Sequence, residues 1–120
     1  MCYNRYLALV KLLASCQSAT RTCLDRVRLS HAQYDVLRQL SEDVTACTLS
    51  ELARTIGKSQ NDLTNVLDNL ETRSLVVRYK DFSDRRYCYV SVTSSGREAY
   101  ESVKSDYNAA IESILGRGKR

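Results

Sequence analysis

The chain has 120 residues, a net charge of +4 and no proline, so one domain is the natural expectation, with little margin for a monomeric core. No apolar run reaches the roughly 18 residues that suggest a membrane-spanning helix. A single histidine and five cysteines (Cys2, Cys16, Cys23, Cys47, Cys88) without a C-x-x-C pair argue against a metal site, a serine–histidine pair or a disulfide framework.

From the N-terminus, residues 3–27 place Tyr6, Leu9, Leu13, Cys16, Thr20, Cys23 and Val27 three and four apart. That stripe predicts a long amphipathic helix with one buried seam. Lys11 interrupts its apolar start, so the segment reads as helix and not as a signal peptide, and a cytoplasmic chain with reduced thiols is expected. Ser30 and Gln33 form an S-x-x-Q capping box that opens a second helix, with Tyr34, Leu37 and Leu40 on one face. Val44 to Cys47 reads as a very short strand. Thr48 and Glu51 form another capping box, opening a third helix that buries Leu49, Leu52, Ala53 and Ile56, and Gly57 closes it.

Ser59 caps a fourth helix over about 59–73. Leu63, Val66, Leu67 and Leu70 form its inner face; Gln60, Asn61, Thr64, Asn65, Asp68 and Thr72 point away. Short amides and hydroxyls at the start of a helix are groups that donate and accept at base edges and phosphates. Val76–Lys80 and Tyr87–Val92 then alternate with the two-residue strand period, with Cys88, Val90 and Val92 on one side. They are joined by a charged tip over 81–86, and Arg78, Lys80, Arg85 and Arg86 cluster on this hairpin. A local cluster of cations on a protruding loop attracts phosphate more than the net charge does. Thr93 caps a last helix to about Leu115, which at 1.5 Å per residue is roughly 33 Å long. Its seam of Tyr100, Val103, Tyr107, Ala110 and Ile114 suits helix–helix pairing.

Helix, turn, helix, hairpin is the outline of a winged helix-turn-helix. The expected fold is mainly α with a small β-hairpin wing over 76–93, in one domain. Residues 30–93 make its DNA-binding lobe, and 1–28 and 94–115 its dimerisation helices. One helix enters the major groove and the arginine-bearing wing reaches an adjacent minor groove. The rival reading is a winged-helix module that docks on protein and reads no bases. No nucleophile–base pair, metal cluster or phosphate loop stands in the sequence, so neither an enzyme nor a cofactor is expected.

LSHAQYDVLRQL, LSELARTIGKSQNDLTNVLDNLETRSLVVR and SDRRYCYVSVTSSGREAY resemble the second helix, the helix-turn-helix and the wing of the MarR (multiple-antibiotic-resistance regulator) family. The wing signature is Asp84 and Arg86, then Thr93, then Gly96. In length the chain is similar to the shorter staphylococcal accessory regulators. The resemblance implies a homodimeric transcriptional regulator, a repressor, on a pseudo-palindromic duplex operator. It assigns Ser59, Gln60, Asn61 and Thr64 to the recognition helix, Arg86 to the wing tip and Arg85 as its basic neighbour. Asp84 is expected to hold the wing by pairing with an arginine. Asn65 stands where the family often has arginine, and Ser74 where it often has glycine. Most members also continue into a further C-terminal helix.

Two effectors fit this reading. Many relatives answer to small aromatic acids, and Tyr3, Tyr6, Tyr34, Tyr100 and Tyr107 are the aromatic candidates here. An oxidant acting on Cys2, Cys16 or Cys23 is the rival. Cys16 and Cys23 lie two turns apart, about 10.5 Å along the axis, too far for a disulfide within one helix.

Overall fold

The computed structural model describes residues 2–43 and 47–116. The elements run α1 (Cys2–Val27), α2 (His31–Glu42), β1 (Cys47–Thr48), α3 (Leu49–Ile56), α4 (Gln60–Thr72), β2 (Val76–Lys80), β3 (Cys88–Val92) and α5 (Ser94–Leu115). The chain divides into two compact units, Met1–Leu29 with Ser102–Arg120, and Ser30–Glu101.

The second unit is the winged helix. Both capping boxes form: the Ser30 side chain accepts from the Gln33 amide while the Gln33 side chain accepts from the Ser30 amide, and Thr48 and Glu51 repeat the exchange. Each box satisfies two amides that a helix start leaves open. Tyr34, Val36 and Leu37 of α2, Leu52 of α3 and Leu63, Leu67 and Leu70 of α4 are fully buried. The apolar stripes read from the sequence are thus the faces on which the three helices meet. Tyr34 and Tyr100 are core residues as well, their rings tilted at 5.5 Å. The Tyr100 hydroxyl donates to the Glu42 carboxylate, and burial, then that carboxylate, pushes its pKa well above the usual tyrosine range.

The sheet order is β1-β3-β2, antiparallel throughout. Cys47 pairs with Val90 and Thr48 with Tyr89, so the expected short strand is present at its Cys47 end; Val44 to Ala46 lie outside the described residues. The hairpin registers Val76 with Val92 and Lys80 with Cys88. Val76 and Val90 face the core, while Val77, Tyr79, Tyr89 and Ser91 occupy the other side of the pleat, as the period of two requires.

Helix ends explain two signature positions. α3 stops at Gly57 with φ +83°, the left-handed end that glycine adopts without penalty. α4 stops the same way at Ser74 with φ +61°, with the Leu75 amide donating back to the Leu70 carbonyl at 2.9 Å. The Thr93 hydroxyl donates to the Ser74 carbonyl at 2.7 Å and accepts from the Gly96 amide at 3.0 Å. A methyl group on Gly96 would overlap the Leu75 carbonyl oxygen. Threonine and glycine at this spacing fasten the start of α5 to the turn after α4.

In the first unit α1 is a continuous 26-residue helix. Cys16, Thr20, Cys23 and Leu24 are buried, and Arg26 pairs with Asp106 at 2.6 Å. The N-terminal half of the same seam is exposed, with Tyr6 at 60%, Leu9 at 65% and Leu13 at 58%. One stripe is therefore satisfied within the chain over its second half only.

Candidate nucleic-acid interface

α3, the turn at Gly57 and α4 set the helix-turn-helix, and Ser59 starts α4 as its cap, its side chain accepting from the Asp62 amide at 3.1 Å. That oxygen is used, but the hydroxyl hydrogen remains available as a donor. Gln60, Asn61 and Asn65 are exposed. Thr64 is half-buried and donates its hydroxyl to the Gln60 carbonyl at 2.8 Å, which leaves its oxygen able to accept. The polar face expected at the front of α4 is thus a surface with both donors and acceptors.

The wing tip is built by its own side chains. The Asp81 amide donates to the Tyr87 carbonyl at 2.9 Å, closing the hairpin. Asp81 Oδ2 accepts from the Ser83 amide (3.1 Å), the Ser83 hydroxyl (2.8 Å) and the Asp84 amide (2.8 Å). The Ser83 hydroxyl and then the Asp84 amide hold this carboxylate below the ordinary aspartate range. Asp84 receives Arg86 in a fork, Nε to Oδ1 at 3.0 Å and Nη2 to Oδ2 at 2.8 Å. A bidentate pair fixes the guanidinium plane as well as its distance. The arginine that Asp84 holds is thus the wing-tip arginine itself, and that side chain is still 84% exposed. Its guanidinium also lies 6.0 Å from the Tyr87 ring centre. Arg85 is exposed.

The two halves adjoin. Thr48, Ser50, Gln60, Arg86 and Cys88 are among the residues lining one cleft of about 110 Å³. The first residue of α4 and the wing arginine therefore border the same hollow.

Arg78 departs from the expectation. It does not join the cations of the tip: Nη2 reaches Asp68 Oδ1 at 2.6 Å and Glu71 Oε1 at 2.5 Å, and Nε reaches Glu71 at 3.1 Å. Its side chain is only 21% exposed. Arg78 lies on the core-facing side of β2, opposite Val90, and the nearest charges there belong to α4. The signal was present in the sequence, since Asp68 and Glu71 at i and i+3 share a helix face, but the pairing needed the packing of β2 on α4.

Of the candidate thiols, Cys2 is exposed while Cys16 and Cys23 are buried. Cys23 Sγ donates to the Thr20 carbonyl at 3.2 Å, and burial pushes this thiol up, which keeps it protonated and poorly nucleophilic at neutral pH. Among the described residues no group of three or more His, Cys, Asp or Glu is placed to hold a metal, and no helix is long and apolar enough to cross a membrane.

Residues 29–87 match the MarR family. Over 116 residues the chain is 30% identical to the HTH-type transcriptional regulator FarR of Neisseria gonorrhoeae, covering 94% of this chain and 79% of that one. Over 108 residues it is 27% identical to the homoprotocatechuate degradative operon repressor of Escherichia coli, covering 90% and 72%. The crystal structure of NadR in complex with 4-hydroxyphenylacetate is similar with a TM-score of 0.78 at 28% identity, covering 94% of this chain and 82% of that one. Winged-helix geometry, the Asp84, Arg86, Thr93 and Gly96 signature and these relatives agree: the chain belongs to the MarR family of DNA-binding transcriptional regulators.

Proposed function

We propose that the protein is a homodimeric repressor of a pseudo-palindromic operator. Ser59, Gln60, Asn61, Thr64 and Asn65 read the major groove, and Arg85 and Arg86 enter the neighbouring minor groove. The carrying observation is the cleft shared by Gln60 and Arg86, because it sets an amide suited to base edges beside a cation suited to a narrowed, electronegative minor groove. In this reading residues 30–93 form the DNA-binding lobe, and the terminal helices, 1–28 and 94–115, join two copies. The exposed Tyr6, Leu9 and Leu13 support that pairing, since contiguous apolar surface on a helix seeks a partner helix. A two-fold protein then requires two matching half-sites about one helical turn apart.

Release from DNA is by a small hydroxylated aromatic acid, the chemistry named for two of the relatives. Oxidation is the second reading and favours Cys2, the exposed thiol of the three candidates.

Fragment selection from genomic DNA, followed by titration, tests the assignment. The recovered site should bind with steep salt dependence, and Arg86→Ala should weaken it about tenfold and lower the salt slope by about 1. Absence of binding to any duplex at low salt would instead favour a protein-docking module. Adding 4-hydroxyphenylacetate or peroxide to the complex distinguishes the two effectors: the proposal expects release by the acid, retained when Cys2 is replaced by serine.

A further inference from the structure

Phe82 is the only phenylalanine of the chain, and it is 97% exposed at the wing tip. Single exposed apolar residues are common and need no explanation. Three features set this one apart. First, its backbone is held: Asp81 on one side accepts three hydrogen bonds from Ser83 and Asp84, so the ring stands on a fixed turn. Second, it does not stand alone. Tyr79 and Tyr89, stacked across the strands at 5.7 Å, line one groove of about 440 Å³ with Lys80, Asp81 and Phe82. The three aromatic residues thus border one groove at the wing tip. Third, its surroundings suit a polyanion. Lys80, Arg85 and Arg86 outnumber Asp81 and Asp84 at the tip, Asp84 is paired with Arg86, and Lys80 and Arg85 are exposed beside the ring.

We infer that Phe82 is a further DNA-contacting group of the wing, its ring entering the minor groove beside Arg86 and wedging open a base step. The inference rests on the reading that the wing faces duplex DNA. Cations draw the tip to the phosphates, but they cannot unstack bases; a rigid apolar ring can, and proteins that insert one kink the duplex. A minor groove of about 6 Å width admits a flat ring only edge-on, which favours a tip whose backbone is already fixed. Bending extends the contact between DNA and protein and makes flexible pyrimidine–purine steps preferred at positions that no side chain reads.

The test uses the full chain on its selected duplex, with 2-aminopurine placed in turn at each step facing the wing. Wild type should raise the fluorescence several-fold at one step in each half-site. Phe82→Ala should abolish that rise and weaken binding about tenfold, while Phe82→Leu restores most of both. The side chain is almost wholly exposed, so thermal melting should be unchanged in both variants. Flat fluorescence with wild type bound, or a Phe82→Ala protein that binds and unstacks like wild type, overturns the wedge. If Arg86→Ala still loses affinity in that case, the DNA-reading surface stands without it. A wild-type protein that binds no duplex overturns both.

Discussion

At the scale of single residues, the backbone around Ser74 is the clearest case of chemistry set by position. A side-chain-bearing residue in the left-handed region costs about 1–2 kcal/mol, and Ser74 sits there at φ +61° because only that conformation lets the Leu75 amide reach back to Leu70. Ser74→Gly relieves the strain at the cost of some unfolded-state entropy. A net stabilisation of about 0.5–1 kcal/mol is expected, read as a higher urea midpoint at unchanged m. An unchanged or lower midpoint would mean that the serine contributes a contact of its own.

At the scale of elements, Arg78 couples β2 to α4, and so the wing to the helix proposed to read bases. One guanidinium spans two carboxylates on the same helix face, and both lie three or more residues past the expected base-reading positions. Arg78→Ala leaves Asp68 and Glu71 without their shared cation, 58% and 42% exposed respectively. Water offsets much of that loss, so the cost should be about 1 kcal/mol in urea unfolding, shrinking as salt is raised. The informative companion is operator affinity. If β2 aims α4, affinity falls by more than the stability loss explains; if the pair merely solvates itself, it does not.

For the whole molecule, the proposed homodimer turns on the divided seam of α1. Its second half is buried within the chain through Cys16, Thr20 and Cys23, and its first half presents Leu9 and Leu13 to solvent. A homodimer that covers this half should be lost in a Leu9→Glu, Leu13→Glu double variant, since charge at a helix seam is desolvated without a partner. Sedimentation should show wild-type dimer and variant monomer at the same concentration, with DNA affinity falling along with the dimer. Dimeric sedimentation of the variant would move the interface elsewhere on the chain.

The sequence by itself determined the capped helix starts, the stop at Gly57, the two wing strands to within a residue and the family. Those signals are local: Ser30 with Gln33, Thr48 with Glu51 and Gly57 with the helix before it act over three to five residues, so their hydrogen bonds are legible as spacing. That Asp84 pairs with a nearby arginine was legible as well; that the partner is Arg86 came from the structure. Tertiary structure alone decided which charges remain available. Arg78 reads as one more cation of the hairpin until β2 packs on α4 and the carboxylates of Asp68 and Glu71 take it. It also decided which half of α1 is already covered, and that Tyr34 and Tyr100 are core and not an open aromatic cleft. Periodicity shows that a face is apolar, but only the folded chain shows how much of that face its own residues cover.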